Sequence, residues 1–281
     1  MFKTSLYKPH HINATVDDIA GNKGIGRYIF LPGSEGRAEE IASHFGNVVE
    51  KPHPRGGHTL YLGTLQCDGK QIDVASIASG MGCPSTEIFL HELFNLGAKR
   101  FLRVGTAGTL QPSIVNVGTI VNVQASVRDE GTTIHYAPLE IPAIASIEFV
   151  TSVLVAAEKL NLTESIHTGI VHCKSSLYAR ELSAGPRAPE NQHYLNLLSQ
   201  SGVLATEMET ASLFIQSQLY NYQLMQEGDL PQHRVLAGAI LAIISTTDHL
   251  ASSSIATDAI QDSIELALET IKILATQELD D

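Results

Sequence analysis

At 281 residues and a formal net charge of −12, the chain is long enough for one large domain and too acidic to bind a nucleic-acid polymer, whose phosphates need a basic face. A hydrophobic share of 43% against 17% charged is that of a folded globular protein and excludes disorder. Cys67, Cys83 and Cys173 are odd in number and fit neither a disulfide framework nor a zinc pattern, so they read as small buried thiols in a reducing compartment, with no metal expected. The start of the chain, with Lys3, Lys8, His10 and His11, has no apolar run that would make it a signal peptide. No stretch approaches the roughly 20 apolar residues of a membrane helix. The expectation is a cytoplasmic protein with no membrane partner.

In chain order, residues 27–31 read as a buried strand, 32–36 as a Pro-Gly turn and 37–45 as a helix. Residues 59–65 and 72–78 read as two strands of a hairpin around Asp68-Gly69. A tight loop at 79–85 leads into a helix over 86–96, stopped by Gly97. Residues 100–104 form an apolar strand that ends in Arg103 and breaks into a glycine-rich turn, Gly105-Thr106-Ala107-Gly108. Strands at 119–127 and 165–172 flank an amphipathic helix at 144–160, and 179–192 reads as a long loop. A helix over 208–219, an apolar strand over 235–244 and a closing helix over 255–279 complete the chain. No linker composition interrupts it, which predicts one α/β domain over residues 1–281, built on a mixed, largely buried central sheet flanked by helices.

Three stretches carry chemistry. Ligands of open α/β sheets bind beyond the carboxyl ends of strands, where Pro32-Gly33, Gly80-Met81-Gly82 and Gly105-Thr106 all fall. Arg37 and Arg103 supply bidentate charge for an anion there and Thr106 a hydroxyl. An arginine ending an apolar strand must be paired or bind a ligand, because an unpaired buried charge is very costly. Thr206-Glu207-Met208-Glu209 is either a solvated helix start or a sugar clamp, since a carboxylate accepts two hydroxyl protons and methionine offers an adaptable apolar surface. Ser245-Thr246-Thr247-Asp248-His249 is either a helix N-cap or a site where Asp248 acts as a general acid.

In this order, the pieces resemble the nucleoside phosphorylases of the hexamer-forming bacterial type, the family of uridine phosphorylase and purine nucleoside phosphorylase. Pro32-Gly33-Ser34-Glu35-Gly36-Arg37 is similar to that family's first phosphate loop, and Arg103-Val104-Gly105-Thr106-Ala107-Gly108 to its most specific motif. The resemblance implies a partly barrel-like sheet, with Gly33, Arg37, Arg103 and Thr106 on phosphate and with Met208 and Glu209 on ribose. It implies that His11, in Pro9-His10-His11-Ile12-Asn13-Ala14, meets the ribose of a neighbour's substrate and that Arg55 is lent across the interface to a neighbour's phosphate. Tyr178, Glu207 and Asp248 are placed at the base, with Arg103 and Asp248 in the catalytic roles. The implied protein is a homo-oligomer, a hexamer built from dimers with shared sites, that carries out reversible phosphorolysis of a nucleoside to base and (deoxy)ribose 1-phosphate. It needs no metal or organic cofactor, inorganic phosphate being the co-substrate.

The base segment departs from its relatives. Ser126 to Ala145 most resembles the uridine branch, yet the glutamine and arginine with which that branch reads uracil are replaced by Leu177-Tyr178-Ala179-Arg180-Glu181, with Arg180 out of register. Thr247-Asp248-His249 is similar to the purine branch, whose aspartate protonates the leaving purine, and tilts the expectation to a purine nucleoside over uridine. The arginine that assists that aspartate has no counterpart between Ala251 and Leu279. A nucleosidase using water and a non-catalytic nucleoside-binding protein are the other readings.

Overall fold

The computed structural model describes residues 7–228, 234–246 and 252–279. Its strands are β1 Tyr28–Pro32, β2 Gly46–Lys51, β3 Leu60–Cys67, β4 Lys70–Ser76, β5 Arg100–Thr109, β6 Ile120–Asp129, β7 Ala143–Ile144, β8 Ile166–Lys174, β9 Ala205–Glu207 and β10 Leu236–Ser245. The α-helices are α1 Val16–Ile19, α2 Glu35–Ala42, α3 Cys83–Asn95, α4 Ile147–Lys159, α5 Ala188–Gln200, α6 Thr210–Gln226 and α7 Ser253–Leu279. All ten strands belong to one mixed sheet, ordered β10-β6-β8-β9-β5-β1-β4-β3-β2 with β7 beside β6. Because β10 also pairs with β5, the strands β5, β10, β6, β8 and β9 close on themselves, and β1, β4, β3 and β2 extend from β5 as an open wing. This is the mixed, partly barrel-like α/β sheet expected.

β5 is the axis of the molecule, paired in parallel with β1 and β10 and antiparallel with β9. Side chains alternate across a strand. Phe101 and Ala107 enter a core shared with Leu93 and Phe94 of α3 and with Leu213 and Phe214 of α6. Leu102 and Val104 enter a second core with Ile41 of α2, Phe149 of α4 and Ile271 of α7. The same alternation sends Arg103 to the side of α3 and α6, where the carboxylates of the β9–α6 junction lie.

Four expectations need correction. The glycine-rich stretch after Arg103 is not a turn: β5 runs on to Thr109, with Gly105 opposite Leu241 and Gly108 opposite both Ser245 and Thr206. Its glycines make room; a Cβ on Gly105 would lie 2.9 Å from Arg103 Nη2, and one on Gly108 would overlap the Glu181 carboxylate. Residues 188–192 of the expected loop instead begin α5, which runs on to Gln200 and whose Pro189 sits in the first turn, where a missing N–H costs nothing. Residues 143–144 pair with β6 and the helix starts only at Ile147. β2 went unread because it is an exposed edge strand with no buried face to impose a period. The Asp68-Gly69 hairpin forms as expected, both residues at positive φ (49° and 76°) and Cys67 opposite Lys70.

At the foot of β5, Arg100 is buried and gives its guanidinium to Glu278 of α7 (Nη2 to Oε1, 2.5 Å), which also accepts from Tyr28 Oη at 2.8 Å. Removing one partner of a buried pair strands the other charge. Glu278→Ala is expected to lower unfolding free energy by about 3 kcal/mol in urea titrations, with Glu278→Gln costing clearly less.

Candidate active site

A cleft of about 650 Å³ opens at the ends of β1 and β5, walled by the β9–α6 junction and the end of β8. Gly33, Arg37, Arg103, Thr106, Glu207, Met208 and Glu209 all line it, so seven of the sequence-derived site residues converge.

Arg103 is only 4% exposed. Its Nε lies 3.3 Å from Glu207 Oε2, and its Nη2 donates to Glu209 Oε2. Burial alone disfavours the charge, but Glu209 and Glu207 outweigh it and lift the guanidinium above the ordinary arginine range. Among the described residues its Nη1 has no hydrogen-bond partner. A buried, charged, unspent donor in a polar cleft is the mark of an anion site. Arg37 reaches the same place from α2, with Nη1 3.5 Å from Val104 O; burial first and the like charge of Arg103 second push it below the ordinary arginine range.

The two carboxylates differ in their work. Glu207 closes the start of α6: it accepts from Glu209 N at 2.8 Å, Thr210 N at 3.0 Å and Thr210 Oγ1 at 2.5 Å. Burial opposes ionisation, yet Arg103 and these donors hold Glu207 below the usual carboxylate range. Its oxygens are therefore committed to protein donors. Glu209 is pushed up, by burial first and by the like charge of Glu207, despite Arg103. Gly82 N donates to its Oε1 at 2.5 Å, which ties the loop before α3 to the site; Gly80 and Gly82 make that turn at φ 74° and 84°. Gly33, by contrast, is not in the left-handed region. A carboxylate has about four lone-pair sites. Glu209 keeps acceptor capacity for a diol that Glu207 has used.

Sequence reasoning missed Lys174 and Glu181, which also line the cleft. Lys174 ends β8, and its Nζ lies 2.7 Å from Glu181 Oε2 and 3.4 Å from Glu207 O. Glu181 ends a π-helical turn, Leu177–Glu181. Lys174 carried the same signal as Arg103, a charge closing an apolar strand, whereas Glu181 had none.

Tyr178 is 71% exposed and outside the cleft lining, because the π-turn gives that place to Leu177. Arg180 also turns away: its Nε lies 2.7 Å from Asp129 Oδ2, its Nη1 donates to Asn191, and its guanidinium stacks 4.4 Å above the Tyr194 ring. Asp129 in turn meets His172 Nε2 at 2.8 Å, and His172 Nδ1 lies 3.0 Å from Thr206 Oγ1 in the cleft wall. His11 and Arg55 line a separate groove of about 420 Å³. There Glu92 accepts from the backbone N–H groups of His10, His11 and Ile12, and Arg55 Nη2 donates to His10 O at 2.7 Å. Asp248 lies outside the described residues. Cys83 and Cys173 are free, with their sulfurs 3.5 Å apart.

The geometry has counterparts among known proteins. Residues 27–278 match the family model described as the phosphorylase superfamily. The chain is 33% identical over 278 residues to a uridine phosphorylase of Treponema pallidum, covering 96% of this chain and 95% of the relative. It is 34% identical to the uridine phosphorylase of Escherichia coli over 72% of this chain and 77% of that one. A guanosine phosphorylase of Halorubrum lacusprofundi is 30% identical over 66% of this chain and 69% of its own. With its sheet, its buried arginine and its paired carboxylates in place, the chain belongs to the phosphorylase superfamily and is a pentosyltransferase of the nucleoside phosphorylase type.

Proposed function

We propose that the protein catalyses reversible phosphorolysis of uridine, with inorganic phosphate as co-substrate and no cofactor. Similarity to uridine phosphorylases over nearly the whole chain supports uracil over the purine that Thr247-Asp248-His249 led us to expect. The observation that carries phosphorolysis is the Arg103 guanidinium, buried, doubly paired and with Nη1 still to be satisfied, beside the second cation Arg37. A guanosine substrate is the second reading, favoured by the similarity to the Halorubrum enzyme and by the sequence motif Thr247-Asp248-His249.

In this reading Arg37, Arg103, Thr106 and the backbone at Gly33 hold phosphate, while Glu209 and Met208 hold the ribose. A phosphate oxygen forms a bond to the anomeric carbon as the glycosidic C–N bond breaks. The electron pair leaves with the base, which then takes up a proton. The sugar passes through an oxocarbenium-like state that the adjacent phosphate charge stabilises, and preset arginines spare the cost of orienting it. His11, held by Glu92, and Arg55, held by the His10 carbonyl, serve the cleft of a neighbouring copy, so that the working unit is an oligomer with shared sites.

Base release from uridine should depend strictly on phosphate in a spectrophotometric assay; equal release in phosphate-free buffer would make the protein a nucleosidase. Arg37→Ala, at a half-buried position, is expected to raise the KM for phosphate about 100-fold with little change in Tm, since a charge-assisted contact is lost without stranding a partner. For the shared site, Arg55→Ala and Arg37→Ala chains, each nearly inactive alone at phosphate far below the raised KM, should regain about a quarter of full activity when refolded together, because half the dimers are mixed and each mixed dimer holds one intact site. No recovery on mixing would place Arg55 outside the site.

A further inference from the structure

The cleft holds a second buried ion pair that phosphate and ribose binding leave unused. Lys174 and Glu181 are 2% and 4% exposed, yet both line the cleft. Contacts run in sequence from Arg103 to Glu207, from the Glu207 carbonyl to Lys174, and from Lys174 to Glu181. A Cβ on Gly105 would meet the Arg103 guanidinium and one on Gly108 the Glu181 carboxylate, so both charged groups close on β5 where it lines the cleft. The relay of contacts sets Glu207 and Lys174 between Arg103 and Glu181, leaving Glu181 for a part of the substrate other than the phosphate. Arg180, the other charged group of this segment, is turned away and committed to Asp129 and Asn191.

We infer that the Lys174–Glu181 pair reads the base, with Glu181 accepting a ring N–H and Lys174 donating to the carbonyl beside it. The inference rests on the phosphorylase reading above and names its substrate class: nucleosides of oxo bases, in which N–H and C=O are adjacent, as in uracil and the 6-oxopurines. Amino bases offer the reverse order, a ring nitrogen acceptor beside an exocyclic amine. Two features favour the oxo order. A lactam N–H is far more acidic than an aromatic amine, so it forms the stronger bond to an ionised carboxylate. The departing base also carries negative charge delocalised onto its carbonyl oxygens, where a buried ammonium stabilises it; at the edge beside the ring N–H an amino base presents an amine in place of that oxygen and cannot receive the contact. A site built on buried polar groups rejects the mismatched base strongly, because its own groups are left unpaired.

The test is kcat/KM at saturating phosphate for two matched pairs, uridine with cytidine and inosine with adenosine. In whichever ring class the cleft accepts, the oxo member should be preferred at least about 100-fold; a smaller ratio overturns the inference. Glu181→Gln keeps the shape but adds a donor, and should shrink that ratio at least tenfold through the nucleoside KM while the phosphate KM stays within about twofold. An unchanged ratio in a folded Glu181→Gln protein overturns the assignment. The wild-type ratios stand whether or not the variant folds. If no nucleoside is cleaved, the phosphorylase reading fails by itself, and calorimetric titration of the wild-type protein with uracil, cytosine, hypoxanthine and adenine decides this one: tighter binding of the oxo bases supports it, and equal or reversed binding sinks it.

Discussion

A guanidinium held almost wholly out of water between two carboxylates is the constraint on which the rest of this molecule depends. Taking Arg103 out of solvent is costly, and the cost is offset only if Glu207 and Glu209 are both in place. That requirement reaches far along the chain. Gly105 must lack a side chain so that the guanidinium can lie over β5. The short β9 must pair with both β5 and β8 to carry Glu207 to the spot, and α6 must begin at Thr210 so that its first N–H groups can hold that carboxylate. Gly82 joins through Glu209, which binds the loop before α3 to the same charge. The anion site is thereby assembled by the fold itself, which is the condition for electrostatic stabilisation without reorganisation during the reaction.

How much of this was legible in the sequence follows from which physical pressures leave a local trace. Arg103 was legible because a charge closing an apolar strand has no ordinary explanation, and Glu207 and Glu209 because two carboxylates stand together at a strand–helix junction. The glycines after Arg103 were legible as important but misread. Glycine serves turns and close approach alike, and only the pairing of β5 with β10 reveals the second use. Glu181 left no trace, because its partner is seven residues away around a π-turn that no period announces. The same turn explains why Tyr178, adjacent to a lining residue, faces solvent. Element boundaries failed where burial gave no period, as in β2, or where proline read as a breaker although it sat in a first turn, as in α5.

The purine expectation and the similarity to uridine phosphorylases pull in different directions only if the base is taken as a whole. Taken by its hydrogen-bonding edge, uracil shares with guanine and hypoxanthine the N–H beside a carbonyl, and differs in ring count. The two questions belong to different parts of the cleft. Ring count is a matter of volume, where Leu177 and Ile244 line the cleft. Edge chemistry is a matter of charge, governed by Lys174 and Glu181 at the end of β8 and the π-turn. Arg180 is removed from both by its contacts with Asp129 and the face of Tyr194.

The two ion pairs then divide the electrostatic labour of bond cleavage. As the glycosidic bond breaks, positive charge grows on the sugar and negative charge on the base. In the proposed reaction Arg103 and Arg37 hold the phosphate whose charge faces the sugar, while Lys174 stands where charge collects on the base. Glu181 pairs with the buried Lys174 ammonium at 2.7 Å, as Glu207 and Glu209 pair with Arg103. Arg103 and Lys174 are each accompanied by buried carboxylates. A cleft so arranged carries paired charges into a buried space, and the pairing is what lets a protein of net charge −12 bind an anion and release one.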